Sequence, residues 1–261
     1  MSLAVEEVSH EPLRVWREHE GRVLRLRLDR PKANILDGAM IGALDAALGG
    51  AEADAKLIAV VLDAEGPHFC FGASVEEHLP ARCAAMLAAL NRLILRMAAY
   101  PVPIVVAVRG QCLGGGLELA AAGHLMMVAP DATLGQPEIR LGVIAPAASV
   151  LLPGRIGRAW AEDLLFSGRG IGGDAAARIG LANATAEDPT AAALDYVAGH
   201  YLPLSPSSLR FAVRAARPDA GLRAALQAAS ALYLDELMKT HDANEGLQAF
   251  LAKRPAQWEA R

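Results

Sequence analysis

Gly110-Gln-Cys-Leu-Gly-Gly-Gly-Leu-Glu-Leu-Ala120 is the stretch on which the fold turns. Before it, Val102 to Val108 is an apolar run rich in β-branched residues, which predicts a buried strand. After the glycines, the segment from about Gly115 to Gly123 predicts a helix. Strand, glycine turn and helix in this order make one β/α unit. Three consecutive glycines let backbone approach a ligand with no Cβ in the way. Free N–H groups at a helix start, with the helix dipole, favour a developing negative charge. A turn that uses glycine only for packing is the plainer explanation. Three glycines in a row, with Glu118 two residues later in an otherwise apolar stretch, favour a functional one.

Outward from this unit, more β and α segments follow. Arg22-Val-Leu-Arg-Leu-Arg-Leu28 alternates strictly, which predicts a half-buried strand with its leucines inward and its arginines on a solvated face. Gly38 to Ala53 carries helical spacing, Lys56 to Asp63 reads as a buried strand, and Pro80 to Tyr100 as a long helix with Pro80 in its first turn. Leu125 to Val128 is a further strand. After Pro146 strands largely stop. Helices are expected over 147–157, 159–167, 174–180, 190–202, 206–216, 220–238 and 243–253. The chain is therefore α/β, with a core over residues 1–200 and a helical region over 201–261.

Composition narrows the functions. The chain has 261 residues, 53% hydrophobic and 21% charged, enough for a large core. The net charge of −4 and the absence of a basic stripe argue against nucleic acid as a partner. Cys70, Cys83 and Cys112 show no C-x-x-C spacing, which fits a reducing compartment. Met1 to Val8 has neither a basic n-region nor an apolar h-region, and no apolar run is long enough to span a membrane. A soluble cytoplasmic protein is expected. The seven histidines show no ligand spacing, so no metal is expected. Gly168-Arg-Gly-Ile-Gly-Gly173 formally satisfies G-x-G-x-x-G, but it follows a helical segment and is expected to be a turn leading to a helix at Asp174.

Two further segments carry candidate chemistry. Phe69-Cys-Phe-Gly-Ala-Ser-Val-Glu-Glu77 follows a strand and can present the free N–H of Ala73. Leu134-Gly-Gln-Pro-Glu-Ile-Arg-Leu-Gly142 places Glu138 among apolar residues, where an ion pair with Arg140 is at least as good an explanation as catalysis. Taken with the glycine turn, the three segments fit enolate chemistry at a thioester. Such chemistry needs two donors on the carbonyl oxygen and acid/base groups near the α and β carbons.

These residues resemble the crotonase (enoyl-CoA hydratase/isomerase) superfamily nearly end to end. The resemblance lies in Asp29-Arg-Pro-Lys-Ala-Asn34, Phe71-Gly-Ala-Ser74, Gly110 to Glu118, Gln136-Pro-Glu-Ile139 and Glu245 to Arg254. It implies a spiral of ββα units and a helical C-terminal region used in trimerisation, with a homotrimer or a dimer of trimers. It implies Ala73 and Gly115 as oxyanion hole, and Glu118 and Glu138 as the paired acid/base of the hydratase branch. Lys32, Ala33, Ser74, Val75, Gly114, Pro137 and Ala145 match the segments that contact substrate or CoA. Coenzyme A would be part of the substrate, with no separate cofactor.

Two departures stand out. Ser74 occupies a position that is usually acidic in the family, and Ala145-Pro-Ala-Ala-Ser149 replaces a glycine-rich turn. With Gly72 to Pro80, they resemble the branch that adds water 1,4 to a cyclohexadienoyl-CoA in anaerobic benzoyl-CoA degradation, giving a 6-hydroxycyclohex-1-ene thioester. A conventional enoyl-CoA hydratase or isomerase, and a non-enzymatic RNA-binding or assembly module on the same fold, stay open.

Overall fold

The computed structural model describes residues 8–10, 12–217 and 221–261. The expected lack of a leader over the first seven residues, and residue 220 at the head of an expected helix, lie outside them.

The chain opens with β1 (Val8–His10), β2 (Leu13–Glu18) and β3 (Val23–Leu28), followed by α1 (Gly38–Ala51). β4 (Ala59–Ala64) leads to α2 (Cys83–Ala98). β5 (Ile104–Val108) and β6 (Gln111–Leu113) lead to α3 (Gly115–Ala122). β7 (Leu125–Val128) and β8 (Thr133–Gly135) lead to α4 (Pro146–Ser167). Then come β9 (Gly170–Gly172), α5 (Gly173–Arg178), β10 (Ala184–Thr185) and α6 (Pro189–Tyr196). The helices α7 (Pro206–Ala216), α8 (Leu222–Ala231) and α9 (His241–Leu251) close the chain.

One sheet has the order β1-β2-β3-β4-β5-β7-β10 and a smaller one the order β6-β8-β9. From β3 to β10 the large sheet is parallel. Successive units repeat one pattern: β5 enters the large sheet, β6 the small one, and α3 follows. β7, β8 and α4 do the same, and an isolated parallel bridge between Cys70 and Cys112 gives the β4 unit a similar form. This is the expected succession of ββα units. Its consequence is that the segments leaving the small sheet, each just before a helix, converge.

Both faces of the large sheet are covered. Leu24, Leu26, Val60, Leu62 and Val106 belong to one core with α1, α2 and α3, while Val23, Val61, Val105 and Met127 pack with residues of α6 and α7. The arginine face of β3 is therefore not solvated, contrary to its alternating pattern. Arg25 is only 3% exposed. It pairs with Glu18 at 2.8 Å and with Asp63 at 2.9 Å, and its guanidinium lies 4.8 Å from the Trp16 ring. Arg27 makes two bonds to Asp63, at 2.7 and 2.8 Å. The cause is the parallel register, which sets Arg27 opposite Asp63 on β4. A strand pattern shows alternation but not what covers the second face. Asp63→Ala would strand two guanidinium groups, one of them buried. It is expected to destabilise the fold by about 3 kcal/mol or more in urea unfolding. A loss below about 1 kcal/mol would show that the network contributes little.

Other boundaries shift for local reasons. α2 starts at Cys83 because Val75–His78 forms a short 3₁₀ turn first, leaving Pro80 ahead of the helix. The helices expected over 147–157 and 159–167 join as α4, with the break at Gly157, whose φ is 76°. β9 and β10 place short strands in a half expected to be helical, and β9 falls inside the Gly168–Gly173 turn ahead of Asp174 in α5. The helix over 220–238 passes through a π turn at Leu232–Glu236 and a 3₁₀ turn at Leu237–Lys239.

Candidate active site

The glycine turn joins β6 to α3. Gly114 has φ 52° and its N–H donates to the Gly135 carbonyl at 2.9 Å, which ties the turn to β8. Close approach explains two of the three glycines. A Cβ on Gly114 would sit 2.6 Å from Glu138 Oε1, and one on Gly115 would sit 2.9 Å from the Ala73 nitrogen. The glycines thus let three distant segments meet.

Ala73 is held by its neighbours. Leu36 donates its N–H to the Gly72 carbonyl at 3.0 Å, and Ser74 donates to the Leu36 carbonyl at 3.1 Å. Those bonds leave the Ala73 amide on the opposite edge without a protein acceptor among the described residues. Gly115 is the first residue of α3, where no intrahelical acceptor exists. The two N–H groups are therefore free, adjacent and backed by a helix dipole, which suits an oxyanion.

Glu118 lies one turn into α3 and is 3% exposed. Its Oε1 accepts the Ala148 N–H at 2.8 Å. Ala148 is in the first turn of α4, so the Ala145–Ser149 segment supplies unpaired helix-start amides to this carboxylate. Burial pushes the Glu118 pKa up to about 7, against the lowering effect of the Ala148 and Ala147 amides. Glu138 lies in a 3₁₀ turn, Pro137–Leu141, which ends at left-handed Gly142. Burial, reinforced by the charge of Glu118, pushes its pKa up to about 8. The Gln136 carboxamide, with its nitrogen toward Glu138, donates to Oε2 at 2.9 Å and to Oε1 at 3.2 Å. No ion pair joins Glu138 to Arg140 among the described residues, so the structural alternative for this carboxylate does not hold.

These groups border a cavity of about 340 Å³. Ala73, Gly114, Gly115, Glu118 and Glu138 all line it, as do Val75, Pro137 and Ala145. Lys32, Ala33 and Ser74 do not line it. Lys32 is exposed beside Ala33, whose carbonyl accepts the Phe71 N–H at 2.9 Å, and the Ser74 amide is spent on Leu36. Arg140 also lines it, but much of the remaining wall is apolar, and part of it comes from far along the chain: Met86, Leu87 and Leu90 of α2, and Leu247 and Phe250 of α9. Sequence inspection missed these residues because helical periodicity marks an apolar face without saying what it covers. His78 also lines the cavity; its position beside the Ala73 loop was the only signal.

A family model described as enoyl-CoA hydratase/isomerase matches residues 18–261. Cyclohexa-1,5-dienecarbonyl-CoA hydratase of Thauera aromatica is 62% identical over 252 residues, covering 96% of this chain and 98% of that protein. A probable enoyl-CoA hydratase of Bacillus subtilis is 32% identical, covering 90% and 94%. Among solved structures, an enoyl-CoA hydratase/isomerase from Pseudoalteromonas atlantica superposes with a TM-score of 0.84 at 27% identity, over 95% of this chain and 100% of that one.

Proposed function

This chain belongs to the enoyl-CoA hydratase/isomerase family, and from that premise we propose that it adds water 1,4 to cyclohexa-1,5-diene-1-carbonyl-CoA. The product is 6-hydroxycyclohex-1-ene-1-carbonyl-CoA. The observation that carries this is the meeting of two carboxylates, the buried Glu118 and the half-buried Glu138, with two free backbone donors in one largely apolar cavity. The identity to the Thauera aromatica hydratase supports the ring as substrate.

The thioester oxygen rests between the N–H groups of Ala73 and Gly115. Glu118, held by helix-start amides, is the carboxylate that ionises first, and it takes a proton from water. The oxygen attacks the β carbon of the ring. Charge moves through the dienolate to the thioester oxygen, where the fixed donors stabilise it without reorganising. Glu138, kept neutral by burial and by the charge on Glu118, gives its proton to the far end of the diene. One water is consumed, and a proton passing from Glu118 back to Glu138 restores the pair. No cofactor acts beyond the CoA carried by the substrate.

The acid/base pair sets the pH dependence. Below about 7 both carboxyls are protonated and the base is lost; above about 8 both are ionised and the acid is lost. A bell-shaped kcat/KM with its maximum between those values is expected. A profile that is flat from about 6 to about 9 would contradict the assignment.

Comparing initial rates on the ring diene and on crotonyl-CoA tests the substrate. The diene is expected to be much the faster, and a far higher rate on crotonyl-CoA would leave a conventional enoyl-CoA hydratase in its place. The protein is further proposed to act in the cytoplasm as a homotrimer or a dimer of trimers. Large exposed apolar side chains such as Trp160, Phe166 and Phe211 support assembly. No helix among the described residues is long and apolar enough to cross a membrane.

A further inference from the structure

The turn that carries Glu138 is met from outside by a segment that the mechanism does not use. Ile139 and Arg140, in the middle of the turn, are exposed, so Pro137–Leu141 is fixed chiefly at its ends. At the near end the Gln136 carboxamide bonds the Glu138 carboxyl group. At the far end the N–H of Gly142 donates to the Ile139 carbonyl at 3.1 Å, and that of Val143 to the Glu138 carbonyl at 3.2 Å. Whatever seats Gly142 therefore helps to seat the backbone of Glu138.

α9 and the residues after it close on that far end. A Cβ on Gly246 would lie 2.1 Å from the Leu141 carbonyl oxygen, so α9 meets the turn with no side chain between them. A Cβ on Gly142 would lie 2.8 Å from the Asp242 carbonyl oxygen. Trp258 fills the corner between the two glycines. Its Cζ3 would be 3.0 Å from a Cβ on Gly142, and its Cη2 3.0 Å from one on Gly246. The indole is 52% exposed and belongs to none of the core clusters, so core packing does not hold it there. Its flanking backbone does. The Gln257 N–H donates to Glu245 at 2.8 Å, and those of Glu259 and Ala260 donate to the two carboxylate oxygens of Asp242 at 2.8 and 2.9 Å. The Arg261 carbonyl oxygen accepts the His241 N–H at 2.6 Å. Residues 257–261 thus run back along α9, tied on both sides of Trp258. A flat ring fastened in this way over two glycines is a stop against which the turn rests.

We propose that Trp258 is a positioning residue for Glu138. The clasp over 257–261 holds the indole against Gly142. Through the Gly142 and Val143 amides, that contact fixes where the Glu138 carboxyl group meets the acyl group. The role rests on the hydratase reading, in which Glu138 gives its proton to the ring. A misplacement of about 1 Å by a change far from the chemistry can cost roughly a hundredfold in rate. Without the indole the turn keeps its bonds to Gln136, Gly142 and Val143 and loses only its outer stop, so a smaller loss is expected.

Trp258→Ala is expected to lower kcat on the ring diene about tenfold while KM stays within about twofold. The alkaline limb of its pH profile, set by Glu138 at about 8, is expected to move to lower pH. Water admitted beside the carboxyl group removes part of the burial that raises it. Trp258→Phe keeps a flat ring and is expected to restore most of the loss. Hydrogen exchange read by mass spectrometry checks the clasp without turnover. A peptide over 136–143 should exchange faster in Trp258→Ala, and one over 104–113 should not. If every peptide exchanges faster, the variant has lost its fold. Asp242→Asn, which weakens two of the clasp's bonds and keeps the indole, then takes its place. Unchanged exchange over 136–143 overturns the clasp. Faster exchange there with wild-type kcat and pH profile overturns the positioning role, as does a Trp258→Phe no better than Trp258→Ala. A wild type that hydrates neither the ring diene nor crotonyl-CoA removes the hydratase reading, and the role of Trp258 with it, whatever the variants do.

Discussion

Glu118→Gln and Glu138→Gln are each expected to lower kcat by about a thousandfold, within the range for losing a positioned general acid or base. The two losses have different causes. Glutamine at 118 still accepts from the Ala148 amide but cannot take a proton from water. Glutamine at 138 leaves the base in place and removes the proton destined for the ring. It also removes the neighbour that takes the proton back from Glu118 to complete the cycle. Because the two act as a unit, the double variant is expected to lose little more than the worse single one.

Stability should move the other way. Both folded-state pKa values lie above the ordinary 4.5, so the native chain holds protons that the unfolded chain releases. Stability is therefore lost as pH rises from about 4.5 through the folded values. Glutamine carries no such penalty, and Glu138→Gln should melt above the wild type near pH 9 while matching it more closely near pH 5. Steady-state kinetics with thermal midpoints at both pH values checks this. A variant with near-wild-type kcat, or one that melts lower at high pH, would contradict the two-carboxylate account.

Gly115→Ala is the second large effect. The new methyl group would lie 2.9 Å from the Ala73 nitrogen and 3.1 Å from its Cβ, in the gap between the two oxyanion donors. Neither contact can be relieved by a flexible side chain. The donors must spread or be covered, and a loss of roughly a hundredfold or more in kcat is expected, as for removal of one oxyanion donor. Gly154→Ala is the control: a Cβ there meets nothing within 4 Å, and kcat should be unchanged. Equal kinetics for the two variants would remove Gly115 from the site.

The central unit was legible because its chemistry and its fold share residues. The buried strand, glycine turn and carboxylate of 102–123 are contiguous, so local pattern carried both. Glu138 was ambiguous in isolation, since Arg140 is its sequence neighbour. Only the three-dimensional arrangement, which seats Glu138 on the cavity beside Gly114 and forms no Glu138–Arg140 ion pair among the described residues, favours the catalytic reading over the ion pair. Arg25 misled because strand alternation reports one covered face and is silent on a second. β6 and β8 were missed because three-residue strands at a site carry glycine and polar residues rather than a hydrophobic run. The role of Ala145–Ser149 was only half visible. The segment was expected to shape the acyl pocket, and Ala145 does line it. Its helix-start amide on Glu118 depends on where the chain brings α4, which composition does not show.

The most direct test of the hydratase assignment is turnover of cyclohexa-1,5-diene-1-carbonyl-CoA in deuterated heavy-oxygen water, with the product analysed by mass spectrometry. The two-carboxylate mechanism predicts one solvent oxygen on the former β carbon and one solvent hydrogen at the far end of the former diene. A product of unchanged mass whose double bonds have merely moved, with no solvent oxygen fixed, would contradict it.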